Sequence, residues 1–270
     1  MKKNIYLLKI ILIIILLVLL VLLVLLINYI IKKYNNKELF LNNNTITVVS
    51  GYWNVHNKYG NTYDEWFKNT LNINARYIFF CDKANNDYIT SFRKDYETIL
   101  IDHPLNEFYS KQYYDDAWVD PVHIPSKELG MVWHEKIHLI KLAKEHDGDN
   151  ATDFYIWIDA GIALYRNEKP PQYELRLKDT HNLPLDKISY TSVNESVTAG
   201  CLILPKNIIN NFHTIYYDYL NRCNILSDKN FFCGQEQYIL TLMKKDYPDL
   251  FNKMSDGYSS NLLELYNQLT

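Results

Sequence analysis

The sequence predicts an α/β protein with a mainly parallel sheet and flanking helices, preceded by one transmembrane helix. From residue 45 onward, short apolar runs rich in β-branched and aromatic residues alternate with segments of helical periodicity. This alternation indicates βαβ units, in which helices cover both faces of a parallel sheet. A separate and much longer apolar run near the N-terminus predicts the membrane helix.

The N-terminal apolar run is long enough to cross a bilayer. No polar residue occurs between Ile10 and Ile27, and about 22 helical residues at roughly 1.5 Å each span about 33 Å. A cleaved signal peptide is the alternative, but no small-residue cleavage site follows the run. We therefore expect a short tail (1–9), a transmembrane helix (10–31), a polar stalk (32–44) and one domain (45–270).

Lysines lie on both sides of the predicted span, so the positive-inside rule leaves its orientation open. We expect a single-pass type II membrane protein whose C-terminal domain is lumenal or extracytoplasmic. In that location the sequons at Asn43, Asn150 and Asn194 are candidates for glycosylation. Chance occurrence in an asparagine-rich chain is the alternative explanation for the sequons.

The composition excludes some classes of partner. The formal net charge is −3 and no basic tract occurs, which argues against nucleic-acid binding. The four cysteines, Cys81, Cys201, Cys223 and Cys233, lack the spacing of a metal site. We expect buried free thiols, with a Cys223–Cys233 disulfide as the alternative if the domain is lumenal.

Strands and helices are predicted to alternate along the domain. Strands are expected in TITVVSGYW, ARYIFFCD, TILIDH, FYIWIDAG, KISYTSV and AGCLILP, and helices in TYDEWFKNTLNI, NDYITSFRKDY and residues 126–145, 207–221 and 234–245. Ligands of open α/β sheets bind outside the carboxyl ends of the strands. The first candidates for a site are therefore the residues that end these runs, namely Trp53, Asp82, Asp102 and Asp159.

Asp159 ends the run FYIWIDAGI and is followed by Ala160 and Gly161. The two small residues leave space beside the carboxylate, and Gly161 permits a turn or the close approach of a ligand. A carboxylate beside such space suits a Mg²⁺ or Mn²⁺ ion that bridges to a diphosphate. A structural aspartate that caps a turn is the alternative.

The order of the motifs resembles the HtrL/YibB-like family, a glycosyltransferase-related group with a GT-A-type fold. The matching motifs are TITVVSGYWN, FFCD, SFRKDYETILI, EKIHLIKLA, FYIWIDAGI, AGCLILP and GQEQYIL, of which WIDAG is the most specific. The resemblance implies a GT-A-like catalytic domain that transfers a sugar from a nucleotide-sugar donor to a glycan, lipid or protein acceptor. By the same resemblance, Asp159 takes the place of the first aspartate of the metal-binding D-x-D motif, and Gly161 stands in place of the second.

The same resemblance places Trp53, Asp82 and Arg93 near the donor, where the Arg93 guanidinium is expected to bind phosphate with a forked pair of hydrogen bonds. Lys136 lies in the middle of the apolar stripe of its predicted helix. A charge in that position must reach a carboxylate, solvent or an anion such as the diphosphate. The alternatives for this lysine are a stem that snorkels to solvent and a structural ion pair with Asp82 or Asp102.

Later segments are expected to supply the acceptor side of the site. Glu236 in GQEQYIL is the candidate catalytic base, and Gln237 follows it in the first helical turn. Gly200 in TAGCLILP is expected to let the backbone approach the sugar. Favourable interaction of a glutamate with the helix dipole and a strand bulge at the glycine are the structural alternatives.

A second chemistry is encoded in HEKIH, residues His134 to His138, which matches the H-E-x-x-H string of zinc peptidases. A helical wheel places both histidines on a solvated face, and Lys136 puts a charge inside the motif.

The function expected is therefore glycosyl transfer. The alternatives are a non-catalytic, membrane-tethered glycan-binding domain and a zinc metallohydrolase.

Overall fold

The computed structural model describes residues 46–57, 59–114, 124–170, 172, 174–175, 183–223 and 231–258, together with positions 20, 23, 26 and 27. The chain divides into two compact units, residues 1–44 and 45–270. Apart from those four helical positions, the predicted tail, membrane helix and stalk lie outside the described residues. Within the described ranges, no helix is both long enough and apolar enough to cross a membrane.

The described part of the second unit alternates strands and helices as the sequence predicts. In chain order the elements are β1 (Ile46–Tyr52), α1 (Thr62–Thr70), β2 (Tyr77–Cys81), α2 (Asn86–Arg93), β3 (Thr98–Asp102), α3 (Lys127–Asp147), β4 (Phe154–Ile158), β5 (Ile188–Val193), β6 (Ser196–Val197), β7 (Cys201–Pro205), α4 (Ile209–Cys223), α5 (Glu236–Asp246) and β8 (Phe251–Asp256). The sequence did not predict β8, because FNKMSD has neither an apolar run nor a regular alternation.

The strands form one mixed sheet with the order β3-β2-β1-β4-β7-β5-β6, and β8 pairs with β5. Strands β3, β2, β1 and β4 are mutually parallel, which confirms the predicted βαβ arrangement in the first half. In the second half β7 is antiparallel to both β4 and β5, and β6 is antiparallel to β5. The carboxyl ends of β1 and β4 therefore meet at one edge of the sheet.

Helices cover both faces of the sheet. Alternate residues of the central strands point to opposite sides, so that Val49 and Trp157 pack with α3, α4 and α5, whereas Val48 and Ile156 pack with α1 and α2. All residues of β2, β4 and β7 are buried. Burial on both faces explains why these strands read as continuous apolar runs in the sequence.

Cys223 and Cys233 are joined by a disulfide with a Cα–Cα distance of 5.9 Å. The expectation of free thiols is therefore wrong for this pair, because the fold brings the end of α4 next to the turn that precedes α5. Cys81 and Cys201 are free and buried, as expected. The bridge ties α4 to the 3-10 turn Phe231–Gly234.

Arg93 is part of the core, which corrects its predicted role as a donor ligand. Its residue is 1% exposed, and its guanidinium lies 3.9 Å from the ring centroid of Tyr77. The guanidinium donates hydrogen bonds to the carbonyl oxygens of Leu71, Ile73 and Ala75 and to Thr98 Oγ1. Because these acceptors hold the segment between α1 and β2, the side chain is structural.

Arg93→Met should lower the free energy of unfolding by about 3 kcal/mol or more, because it leaves several buried carbonyl oxygens without a donor. Lys94→Met, at the exposed neighbouring position, is the matched control and should change stability by less than about 0.5 kcal/mol. Urea denaturation of the two variants measures both values. Equal stabilities would contradict a structural role for Arg93.

Candidate functional site

A cavity of about 790 Å³ opens at the carboxyl ends of β1 and β4. Its volume lies in the range of small-molecule sites, about 300–1,000 Å³. Seven of the residues predicted from the sequence line it: Trp53, Lys136, Asp159, Gly161, Gly200, Glu236 and Gln237. The fold therefore brings together residues from five segments that lie far apart in the sequence.

Lys136 connects the two carboxylates of this cavity. Its Nζ lies 2.8 Å from Asp159 Oδ1, 2.5 Å from Glu236 Oε1 and 3.3 Å from the carbonyl oxygen of Ala199. An ammonium group has three hydrogens, so all of its donors are used. Lys136 therefore fixes the two carboxylates and has no hydrogen left for a diphosphate, which corrects its predicted role as a donor ligand. The alternative partners, Asp82 and Asp102, are also not the ones that it contacts.

Burial and charge act in opposite directions on this cluster. Burial alone would lower the pKa of Lys136, but the charges of Asp159 and Glu236 outweigh burial and raise it. Burial raises the pKa of Glu236 above its ordinary value even though Lys136 opposes that shift. Lys136 thus stays charged, and Glu236 binds a proton more readily than an exposed glutamate does.

Asp159 keeps one carboxylate oxygen for a ligand. Its backbone N–H donates to the carbonyl oxygen of Gly200 at 2.9 Å, which holds the residue at the end of β4. Oδ1 accepts hydrogen bonds from Trp157 Nε1 at 2.7 Å and from Lys136. The side chain is 35% exposed. Within the described part of the chain, Oδ2 has no hydrogen-bond partner.

The side chains around Asp159 determine whether the predicted Mg²⁺ or Mn²⁺ ion has a dedicated site. Among the residues that the structure describes, no three or more His, Cys, Asp or Glu side chains are grouped to hold a metal ion. Glu236 is joined to Asp159 through the ammonium of Lys136, whose charge repels a divalent cation. These side chains do not fit a dedicated metal centre.

Gly161 accommodates a tyrosine ring, which changes the interpretation of this glycine. A Cβ atom on Gly161 would lie 2.6 Å from Tyr63 Cε2. The space left by the absent side chain of Gly161 is therefore occupied by the Tyr63 ring, so this space does not serve a diphosphate. Burial first and the Asp159 charge next raise the pKa of Tyr63, which keeps its hydroxyl protonated. Sequence reasoning missed Tyr63, which it placed only within the predicted helix TYDEWFKNTLNI.

Trp53 and Asp82, both predicted to bind the sugar-nucleotide donor, lie in different places relative to the cavity. Trp53 is 4% exposed and lines the cavity, while its Nε1 donates to the carbonyl oxygen of His103 at 2.8 Å. Asp82 follows β2, which lies on the far side of β1 from β4, and it is not among the cavity residues. Burial and the charge of Asp102 raise the pKa of Asp82. Because Asp82 is not among the cavity residues, its predicted role in binding the sugar-nucleotide donor is corrected.

The HEKIH histidines do not converge on a metal. His134 is fully buried, with Nδ1 2.7 Å from Tyr216 Oη and Nε2 2.9 Å from the carbonyl oxygen of Cys233. Nδ1 of His138 lies 3.0 Å from His213 Nε2. Burial lowers the pKa of His134 to about 3, so its ring is neutral. The zinc-hydrolase interpretation and the solvated face assigned to His134 are both wrong, because α4 covers this side of α3.

Glu135, the presumed catalytic glutamate of that string, has a structural role. Its carboxylate accepts hydrogen bonds from the backbone N–H groups of Tyr109 at 2.9 Å and Ser110 at 2.8 Å. His103 Nε2 lies 3.3 Å from the same carboxylate. Glu135 therefore caps the 3-10 turn Tyr109–Tyr113.

Arg166 also lines the cavity, and sequence reasoning missed it. It follows the 3-10 turn Ala163–Tyr165. Its guanidinium carbon lies 3.8 Å from the ring centroid of Trp66 and 5.0 Å from that of Tyr59. No motif surrounds this arginine, and the only available signal was its position seven residues after Asp159.

The chain matches no protein-family model and no curated protein sequence. Among solved structures it is similar to mouse xyloside xylosyltransferase 1 in its apo form, with a TM-score of 0.48 and 9% identity over 77% of this chain and 84% of that chain. It is also similar to the apo form of the glycosyltransferase GlyE from Streptococcus pneumoniae, with a TM-score of 0.40 and 10% identity over 77% of this chain and 44% of that chain. A third similar structure, 4-diphosphocytidyl-2C-methyl-D-erythritol synthase from Anaerococcus prevotii, has a TM-score of 0.35 and 10% identity over 80% of this chain and 90% of that chain.

Lys136→Met should lower the free energy of unfolding by about 3–5 kcal/mol at neutral pH, because two carboxylates lose their buried counter-ion. The folded-state pKa of Glu236 is raised above its ordinary value of 4.5 and should rise further in the variant. A raised carboxyl pKa gives stability that is present below pH 4.5 and is lost as pH rises. The deficit relative to the parent should therefore widen from pH 5 to pH 8 in urea denaturation.

The double variant Lys136→Met/Glu236→Gln supplies the control, because it removes one of the two uncompensated charges. It should recover part of the lost stability and show a weaker pH dependence than Lys136→Met. If the deficit of the single variant were independent of pH, the coupling between Lys136 and Glu236 would be disproved.

Proposed function

We propose that residues 45–270 form a GT-A-like glycosyltransferase domain of the HtrL/YibB-like family, which transfers a sugar from a nucleotide-sugar donor to a glycan, lipid or protein acceptor. The observation that carries the proposal is the cluster of Asp159, Lys136 and Glu236 in the wall of a cavity of about 790 Å³. The cavity lies at the carboxyl ends of parallel strands, where open α/β sheets bind ligands.

In the proposed reaction the two carboxylates have different tasks. Oδ2 of the partly exposed Asp159 accepts hydrogen bonds from hydroxyl groups of the donor sugar and orients the ring. Glu236, whose pKa is raised by burial, accepts the proton of the acceptor hydroxyl as a general base. Lys136 contacts both carboxylates and acts as a positioning residue. Gly200 and Gln237 lie at the same cavity on the proposed acceptor side.

The divalent cation predicted from the sequence has no role in this scheme, since the side chains around Asp159 do not fit a metal centre. In this scheme the remaining task, stabilisation of the leaving diphosphate, is assigned to a positive side chain of the protein.

We also propose a single-pass membrane protein with the catalytic domain on the lumenal or extracytoplasmic side of the lipid bilayer. Two features support this location. The Cys223–Cys233 disulfide is a bond that persists in oxidising compartments. The sequon asparagines Asn150 and Asn194 are exposed and accessible for glycosylation.

Asp159→Asn should reduce sugar-nucleotide turnover by about 100-fold or more, because the amide cannot accept hydrogen bonds through both of its terminal atoms. The measurement is release of nucleoside diphosphate from a panel of sugar nucleotides. Asp153→Asn is the matched control, because Asp153 lies just before the amino end of β4 and pairs with Lys206 at the surface. This variant should keep the parent rate.

Two outcomes would contradict the proposed activity. Glycan binding by the parent without turnover of any sugar nucleotide would favour the non-catalytic binding domain. An Asp159→Asn variant that retained the parent rate would remove Asp159 from the reaction.

A further inference from the structure

Two of the cations predicted from the sequence to meet a phosphate are unavailable to a ligand. The three ammonium hydrogens of Lys136 are taken by Asp159, Glu236 and Ala199. The guanidinium of Arg93 is buried and donates to backbone carbonyl oxygens away from the cavity. Among the described residues that line the cavity, Arg166 is the remaining lysine or arginine.

Arg166 is held in a fixed orientation at the cavity. Its guanidinium lies 3.8 Å from the ring centroid of Trp66, a distance typical of a cation–π contact. The preceding segment is attached to α1, because Asn69 Nδ2 donates to the carbonyl oxygen of Tyr165 at 2.8 Å. An arginine that is already stacked loses less side-chain freedom when it binds a ligand.

The guanidinium of Arg166 donates no hydrogen bond to an acceptor in the described part of the chain, whereas its backbone N–H donates to the carbonyl oxygen of Ala163. Its Nε is buried and has no hydrogen-bond partner, and no described carboxylate forms an ion pair with the guanidinium. A buried donor without an acceptor costs free energy, so such groups call for an explanation. An anion that accepts two parallel hydrogen bonds, such as a phosphate, would satisfy this side chain.

Arg166 and Asp159 line the same cavity. Burial first and the Asp159 charge next raise the pKa of the Tyr63 hydroxyl, whereas the Arg166 charge lowers it. A single ring therefore lies near both charges. An anion on Arg166 would therefore lie in the same cavity that Asp159 lines.

We propose that Arg166, stacked on Trp66, is the residue of this cavity that binds the diphosphate group of the ligand. This inference rests on the proposed function in naming a nucleoside diphosphate as the source of that group. The anion site itself follows from the geometry of Arg166 and applies equally to inorganic pyrophosphate. The alternative is that Arg166 only covers the face of Trp66 as a structural cation–π contact.

The test compares full-length parent, Arg166→Met and Arg222→Met, purified in mild detergent. Methionine keeps an unbranched, apolar side chain over Trp66 but removes the forked donors. Arg222 is the matched control, because it also lies over a tyrosine ring, with 5.4 Å between its guanidinium carbon and the centroid of Tyr219, and it pairs with Asp218 outside the cavity. Calorimetric titrations use inorganic pyrophosphate and the diphosphates of uridine, guanosine, adenosine and cytidine, and thermal melting confirms that each variant is folded.

We expect Arg166→Met to raise the dissociation constants of pyrophosphate and of the preferred nucleoside diphosphate by about tenfold or more. Arg222→Met should change them less than about twofold. Arg166→Lys should fall between the parent and Arg166→Met, since it keeps the charge without the fork.

The outcomes separate this inference from the proposed function. If Arg166→Met weakens pyrophosphate but no nucleoside diphosphate binds the parent, the Arg166 site stands and the nucleotide-sugar proposal fails. If Arg166→Met binds the probes as tightly as the parent, or if neither pyrophosphate nor any nucleoside diphosphate binds the folded parent, the inference is overturned. The guanidinium would then be a structural cover for Trp66.

Discussion

The architecture of the site depends on one buried ammonium group with three acceptors. Lys136 projects from α3 and contacts Asp159 after β4, Glu236 at the start of α5 and the carbonyl oxygen of Ala199 before β7. Each of these groups alone would be costly to bury, and each offsets the cost of the others. The lysine thereby fixes the relative positions of a central helix, the end of a parallel strand and the first turn of a C-terminal helix.

Much of the fold could be predicted because a strand that is buried on both faces has a recognisable sequence pattern. Strands such as Phe154–Ile158 read as continuous apolar runs, and the parallel half of the sheet follows from their alternation with helices. The antiparallel pairing of β7 with β4 has no comparable sequence pattern. Pairing direction depends on the path of the connecting segments, which periodicity does not encode.

Site residues that follow a buried strand could be predicted from the sequence. Tertiary contacts between distant residues of the site could not. Asp159 followed from its place after a buried strand, whereas the contact between Lys136 and Glu236 joins residues 100 positions apart. The two arginines show the same limit, since Arg93 and Arg166 are equally plausible phosphate ligands in sequence. Only the fold shows that one is surrounded by carbonyl oxygens and the other is stacked at a cavity.

The distribution of charged groups around the cavity affects the orientation in which a ligand enters it. The Lys136 cluster contains one ammonium group and two carboxylates, and Arg166 adds a guanidinium to the wall of the same cavity. A molecule with an anionic end and a hydroxyl-rich neutral end is attracted in one orientation and repelled in the reverse one. The cavity would thus select the direction of its ligand by electrostatic polarity before any hydrogen bond has formed.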